Sequence, residues 1–115
     1  MEDIILMVNS FYEKVQQDKL LGPVFGSAVK NWQHHLPVMY TFWGSMLLGI
    51  GSYRGHPFAK HIPLDIDRSH FANWIGLFSQ TVDEHFEGAK AEEAKQRAQS
   101  IAQIFSHKLE LIKGS

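Results

Sequence analysis

Apolar residues recur every three to four positions along most of the chain, which is the spacing of one buried face of an α-helix. Four segments show this spacing: residues 4–15, about 34–48, 71–86 and 89–112. No convincing run alternates between apolar and polar residues, as a half-buried strand does. We therefore predict an all-α protein built from four main helices with short connections.

Glycine and proline residues predict where the first two main helices end and begin. Gly22 and Pro23 are expected to stop the first helix, with Phe25 in a turn or a short helical piece. Pro37 is tolerated in a first helical turn, where its missing N–H has no partner in any case. We therefore expect the second main helix to start near residues 34–35.

The remaining boundaries follow from glycine and aspartate residues. Gly49 and Gly51 are expected to end the second main helix. Asp65 or Asp67 offers an N-cap for the third main helix, and Gly88 is expected to end that helix. The inward positions of the third helix are Phe71, Trp74, Ile75, Phe78, Val82 and Phe86. Those of the fourth are Ala94, Ala98, Ile101, Ile104, Phe105 and Ile112.

Length and charge narrow the class of protein. A chain of 115 residues suffices for one core, so we expect residues 1–115 to form a single domain. The formal net charge of −1 gives no attraction to nucleic acid or to an anionic membrane. The absence of cysteine excludes disulfides and thiolate metal sites. With an acidic start and no apolar run long enough to span a bilayer, we expect a cytoplasmic protein and, without a heptad seam, a monomer.

Glycines and prolines interrupt the segment "GSYRGHPFAKHIPL" at residues 51–64, where His61 stands out. The sequence holds no HExxH zinc motif, no paired Glu-x-x-His motifs of a di-iron bundle and no nucleophile elbow. A haem site requires fewer protein ligands than these sites, because the porphyrin supplies the equatorial nitrogens and the protein adds one imidazole and an apolar slot. His61, with eight Phe and three Trp in the chain, meets that requirement.

Four segments carry a more specific pattern: "FYEKVQQDKLLGPVF", "WQHHLPVMYTFWGSMLLGIGSYRGHPFAKH", "HFANWIGLFSQTVDEHFEG" and "AKQRAQSIAQIF". In order and spacing they resemble the group III truncated haemoglobins of bacteria, from about Phe11 to Phe105. The resemblance implies a truncated globin fold, in which two helix pairs stack two-over-two around a haem b cofactor (iron protoporphyrin IX).

The resemblance also implies roles for individual residues. His61 matches the proximal histidine that binds the haem iron. Tyr12 and Trp74 match the distal tyrosine and tryptophan, whose O–H and N–H would donate hydrogen bonds to the ligand. His35 matches a distal histidine that acts as a gate, and Met39, one turn on, would face the sixth iron position. The haem walls would be formed by Phe25, Phe42, Trp43, Phe71 and Phe78.

Charge and helical position suggest roles for other polar residues. Arg54 or His56 is expected to reach a haem propionate. His85 and His107 are expected on the surface of amphipathic helices. His70 stands in a first helical turn, and we expect no ligand role for it.

The function that the resemblance implies is reversible binding of dioxygen and other diatomic ligands (NO, CO) at a five-coordinate haem iron. Distal hydrogen bonds would slow oxygen loss, which favours chemistry on oxygen, nitric oxide or peroxide over bulk storage. Enzymatic activity is left open: a nitric oxide dioxygenase or a peroxidase would need an unidentified reductase or reducing substrate. Two alternatives also stay open: a cofactor-free helical interaction module, and a metal-dependent hydrolase using His56 and His61, which the lack of nearby carboxylates disfavours.

Overall fold

The computed structural model describes residues 2–49 and 66–112. Five helices and no strand are present in these two ranges, in agreement with the all-α prediction. They are α1 (Glu2–Gln17), α2 (Leu21–Ala28), α3 (Trp32–Leu48), α4 (Arg68–His85) and α5 (Ala89–Ile112). None of the described helices is long and apolar enough to cross a membrane.

The helices pack as two pairs with a short helix against them. α4 and α5 share the most extensive contact in the described chain, and α1 packs on α3. Contacts of α1 with α4 and of α3 with α5 join the two pairs. This is the two-over-two arrangement that the sequence resemblance implied. The short α2 packs on α1 and α4, so it lies against both pairs.

One carboxylate fixes the turn between α1 and α2. Asp18 Oδ2 accepts hydrogen bonds from the backbone N–H of Leu21 at 2.9 Å and of Leu20 at 3.1 Å. These bonds favour the charged form, and the pKa of Asp18 is lowered, chiefly by the bond from Leu21. The bonds satisfy two backbone donors at the start of α2, where no intrahelical partner is available.

The end of α1 differs from the prediction. The helix ends at Gln17, before the pair Gly22 and Pro23 that was expected to stop it. Pro23 lies instead in the first turn of α2, where the missing proline N–H leaves no acceptor unpaired. Phe25 lies in this short helix, as expected.

Gly22 stands where α2 comes close to the end of α1. A Cβ atom at this position would lie 2.8 Å from the backbone carbonyl oxygen of Gln16, whereas one at Gly26 would meet nothing within 4 Å. We expect Gly22→Ala to lower the free energy of unfolding by about 1–3 kcal/mol, because the backbone must move. Gly26→Ala is expected to raise it by about 0.5–1 kcal/mol, since alanine restricts the unfolded chain. Urea denaturation measures both, and equal midpoints would contradict the close approach.

α3 begins earlier than the proline rule predicted, at Trp32. The side chain of Asn31 caps it by accepting a hydrogen bond from the backbone N–H of His34 at 3.3 Å. Pro37 therefore lies in the second turn, where one intrahelical hydrogen bond is lost without ending the helix. Gly49 ends α3 with a φ of 66°, in the left-handed region that glycine adopts without strain, as predicted.

Asp67 caps α4, which decides between the two aspartates proposed for that role. Its Oδ1 accepts a hydrogen bond from the backbone N–H of Ser69 at 2.9 Å, and its own N–H donates to His70 Nδ1 at 3.0 Å. The second of these bonds, together with the bond from the His70 backbone N–H to the Asp67 side chain, forms a capping box. Asp65 and Gly51 lie outside the described residues.

The cap at Asp67 makes part of the stability dependent on pH. Hydrogen bonds, first from the Ser69 hydroxyl, lower the pKa of Asp67 from 3.8 to about 2. A lowered pKa means that the stabilisation is complete above pH 3.8 and is lost as the pH falls towards about 2. Asp67→Asn keeps an oxygen acceptor but cannot titrate. We expect its unfolding midpoint to fall less than that of the natural protein over this pH range; parallel curves would contradict the assignment.

The predicted core faces are confirmed in α4 and corrected in α5. Phe71, Phe78 and Val82 of α4 are buried. In α5, however, Ile104 and Ile112 are 50% and 54% exposed, although both were predicted to point inward. The buried stripe of α5 consists of Ala91, Ala94, Ala98, Ala102 and Leu109. Small alanine side chains face the core, and the two isoleucines lie outside that stripe.

Candidate functional site

A cavity of about 550 Å³ lies between the helices, and all five contribute to its walls. This volume is within the range of about 300–1,000 Å³ found for small-molecule and cofactor sites. Most of the lining is apolar or aromatic. Of the residues predicted for the site, the cavity brings together Tyr12, Phe25, His35, Met39, Phe42, Trp43, Phe71 and Trp74.

Tyr12 is the residue that α1 contributes to the cavity. It is only 5% exposed, and its ring centroid lies 5.3 Å from that of Trp32 and 5.8 Å from those of Phe25 and His35. Burial raises the pKa of the hydroxyl above its ordinary value of 10.0, so it is a protonated donor at neutral pH. Within residues 2–49 and 66–112 this hydroxyl has no hydrogen-bond partner. A buried donor of this kind suits a ligand that brings an acceptor.

Trp74 forms part of the α4 wall, and an aromatic stack holds its ring in place. Its ring lies 5.7 Å from that of Phe78 at an interplanar angle of 16°, and Phe11 packs edge-on at 5.6 Å. The indole N–H has no hydrogen-bond partner among the described residues. The cavity therefore has a second polar donor, contributed by α4, which packs on α1.

Phe78 was predicted as a haem wall, but it does not line the cavity. It is 1% exposed and lies behind the wall, stacked on Trp43 with 4.8 Å between ring centroids and on Trp74. Its role in the structure is to support the two tryptophans that face the cavity.

α3 contributes one continuous face. His35, Met39 and Phe42 follow one another at intervals of one helical turn and all line the cavity. The Nε2 atom of His35 is buried, and its ring packs edge-on against Trp32 with centroids 5.7 Å apart. His34, the neighbouring residue, also lines the cavity but is exposed.

The predicted iron ligand His61 lies outside the described residues, as do Arg54 and His56, the two residues expected to reach a propionate. The described chain resumes five residues after His61, at Ile66, which lines the cavity. The role of His61 therefore stays a prediction.

Four charged or polar residues of the described cavity lining were not predicted from the sequence: Lys30, Asn31, His34 and His70. His70 lines the cavity as well as completing the α4 capping box, although it was expected to have no ligand role. Lys30, between α2 and α3, also lines it. An Asp-x-x-His sequence at a helix start signals the cap of His70, but nothing local to either residue signals a cavity. No Asp or Glu stands among the described lining residues.

Comparison with known proteins assigns the chain to a family. A profile of the bacterial-like globins matches residues 1–109, and the chain belongs to that family. It is 36% identical over 113 residues to group 3 truncated hemoglobin of Campylobacter jejuni, covering 94% of this chain and 89% of that protein. The crystal structure of group III truncated hemoglobin from Campylobacter jejuni matches with a TM-score of 0.88 and the same coverage. The resemblance and the truncated globin fold predicted from sequence are thereby confirmed.

Proposed function

We propose that the cavity holds haem b with His61 as the iron ligand, and that the protein reversibly binds dioxygen and other diatomic ligands there. The observation that carries the proposal is the buried Tyr12 hydroxyl, a donor in the cavity wall without a partner in the described chain. Membership in a globin family and the relatives named as hemoglobins support it. In this proposal residues 1–115 form a single domain.

The described residues fit haem in size and in chemistry. Aromatic and aliphatic side chains from every helix form a cavity of about 550 Å³, which suits a flat and largely apolar ring. The polar side chains of the described lining are those of Tyr12, Trp74, Lys30, Asn31 and three histidines, and the Tyr12 hydroxyl and the Trp74 indole N–H are donors at the wall. Acidic side chains, which would oppose an anionic cofactor, are absent from the described lining.

When bound, haem would supply an iron that binds a diatomic ligand. The Tyr12 hydroxyl and the Trp74 indole N–H would donate hydrogen bonds to that ligand, and their aromatic neighbours would exclude water. His35 would act as a gate, and Met39 would pack beside the ligand. His61 would hold the iron through an imidazole nitrogen.

The two donors favour retention of oxygen over its delivery. Each hydrogen bond stabilises the ligand by about 1 kcal/mol, and two together slow its loss by about thirtyfold. Slow release suits chemistry on oxygen, nitric oxide or peroxide better than bulk storage. A nitric oxide dioxygenase or peroxidase activity would require electrons from a separate reductase or reducing substrate.

Titration with haemin tests the proposal. We expect a Soret band that saturates at about one haem per chain, with quenching of tryptophan fluorescence because Trp43 and Trp74 line the cavity. Met39→Trp overfills the cavity and should weaken uptake by about tenfold or more. Ile104→Trp, on the exposed side of α5, is the matched control and should bind as the natural protein does. Absence of saturable uptake would instead favour a cofactor-free interaction module.

A further inference from the structure

Among residues 2–49 and 66–112, the solvent-exposed part of the cavity lining lies on one side, which we call the opening. The lining residues of the cavity are buried or half-buried in every helix except at the junction of α2 and α3. All exposed members of the described lining come from that junction: Ala28, Lys30, Asn31 and His34. The polar edge of any amphipathic occupant would face this opening, since burial of a charged group without a partner is unfavourable.

The opening carries the positive charge of Lys30, and no acidic side chain lines it within the part of the chain that the structure describes. Lys30 forms no ion pair with a described residue, in contrast to Lys14, which pairs with Glu84 at 2.7 Å. His34, in the first turn of α3, adds a second nitrogen base at the same opening. Asn31 is occupied by the helix cap, since its Oδ1 accepts from the His34 N–H. Lys30 and His34 are therefore the groups available to an anionic ligand edge.

We propose that Lys30 and His34 form the subsite for the carboxylate edge of the porphyrin, and so fix the direction in which it enters the cavity. This inference rests on the proposed haem function. Haem carries its pair of propionates on one edge and is apolar elsewhere. Propionates at the α2–α3 junction place the apolar edge against the buried side of the cavity, where Leu21 and Trp43 lie. Charge-assisted contacts at the opening then hold the carboxylates in solvent-accessible positions.

The test uses metal-free protoporphyrin IX, so that an iron–histidine bond does not mask the contribution of the edge. Affinity is read from quenching of tryptophan fluorescence. Lys30→Gln should weaken binding by about threefold, and Lys30→Gln with His34→Gln by about tenfold. Both effects should shrink at high salt. Lys19→Gln removes the same charge from an exposed site outside the cavity and should have no effect.

The dimethyl ester of protoporphyrin is the matched ligand, because it lacks the carboxylates. Its affinity should be the same for the natural protein and for all three variants. Unchanged binding of the free acid by Lys30→Gln and by the double variant would overturn the inference. Weaker binding of the free acid by Arg54→Gln alone would show that Arg54 contacts the carboxylate edge of the porphyrin. If the natural protein took up neither protoporphyrin nor haemin, the proposed function itself would fail.

Discussion

Replacing Phe78 with alanine is expected to lower the free energy of unfolding by about 3–5 kcal/mol. The side chain is 1% exposed and stacks between Trp43 and Trp74, with Phe11 packed edge-on at 5.4 Å. Its removal leaves a cavity behind both tryptophans, and the loss equals a large part of the stability of an ordinary domain. Guanidinium denaturation of the haem-free protein measures the effect.

Two variants control this prediction. Phe78→Leu retains most of the volume and should cost about 1–2 kcal/mol, which keeps the protein folded if the alanine variant is not. Leu111→Ala removes an apolar side chain that is 68% exposed and should change stability by less than about 0.5 kcal/mol. A loss at Phe78 no larger than that at Leu111 would contradict the supporting role of the ring.

Replacing Tyr12 with phenylalanine is expected to speed dioxygen release by about five- to tenfold, because one hydrogen bond to the ligand is lost. Tyr12→Phe combined with Trp74→Phe should reach about thirtyfold. Because burial raises the pKa of the Tyr12 hydroxyl, the donor stays protonated and the release rate should not change between neutral pH and pH 9. Stopped-flow replacement of dioxygen by carbon monoxide measures the rate.

Two controls test whether a lost hydrogen bond accounts for faster dioxygen release: a second ligand, carbon monoxide, and a second tyrosine, Tyr40. Carbon monoxide is a weaker acceptor than dioxygen, so its release rate should change little in Tyr12→Phe. Tyr40→Phe removes a hydroxyl that donates to Asn9 outside the cavity, and it should leave dioxygen release unchanged. Equal acceleration of both ligands would point to altered packing instead of a lost hydrogen bond.

Helical periodicity was sufficient to locate the main helices, because each buries one face against its neighbours. The α4 stripe and the α5 range of residues 89–112 lie where they were predicted. Helix limits were less predictable, because they depend on which short polar side chain turns towards the backbone. Asp18 and Asn31 make those bonds here, and neither is distinguished by its spacing from apolar residues. The exposure of Ile104 shows the same limit, since packing against other helices decides which side of a broad apolar face is buried.

The site was predictable where one helix face or the family pattern defines it. His35, Met39 and Phe42 share a face, and the segments that resemble truncated haemoglobins identified Tyr12 and Trp74, all of which line the cavity. Lys30 and His70 also line the cavity, but neither a helix face nor the family pattern predicted this. Their positions depend on how the α2–α3 junction and the first turn of α4 close around the cavity, which is a tertiary property.

Replacement of the His61 imidazole tests whether His61 binds the haem iron. The measurement is the absorption spectrum of haem-loaded His61→Gly after reduction, before and after carbon monoxide is added, with and without free imidazole. His56→Gly serves as the control from the same segment. We expect His61→Gly to lose the five-coordinate ferrous spectrum of the natural protein and to regain it when imidazole is added, while His56→Gly is unchanged. A natural spectrum in His61→Gly without imidazole would show that another residue holds the iron.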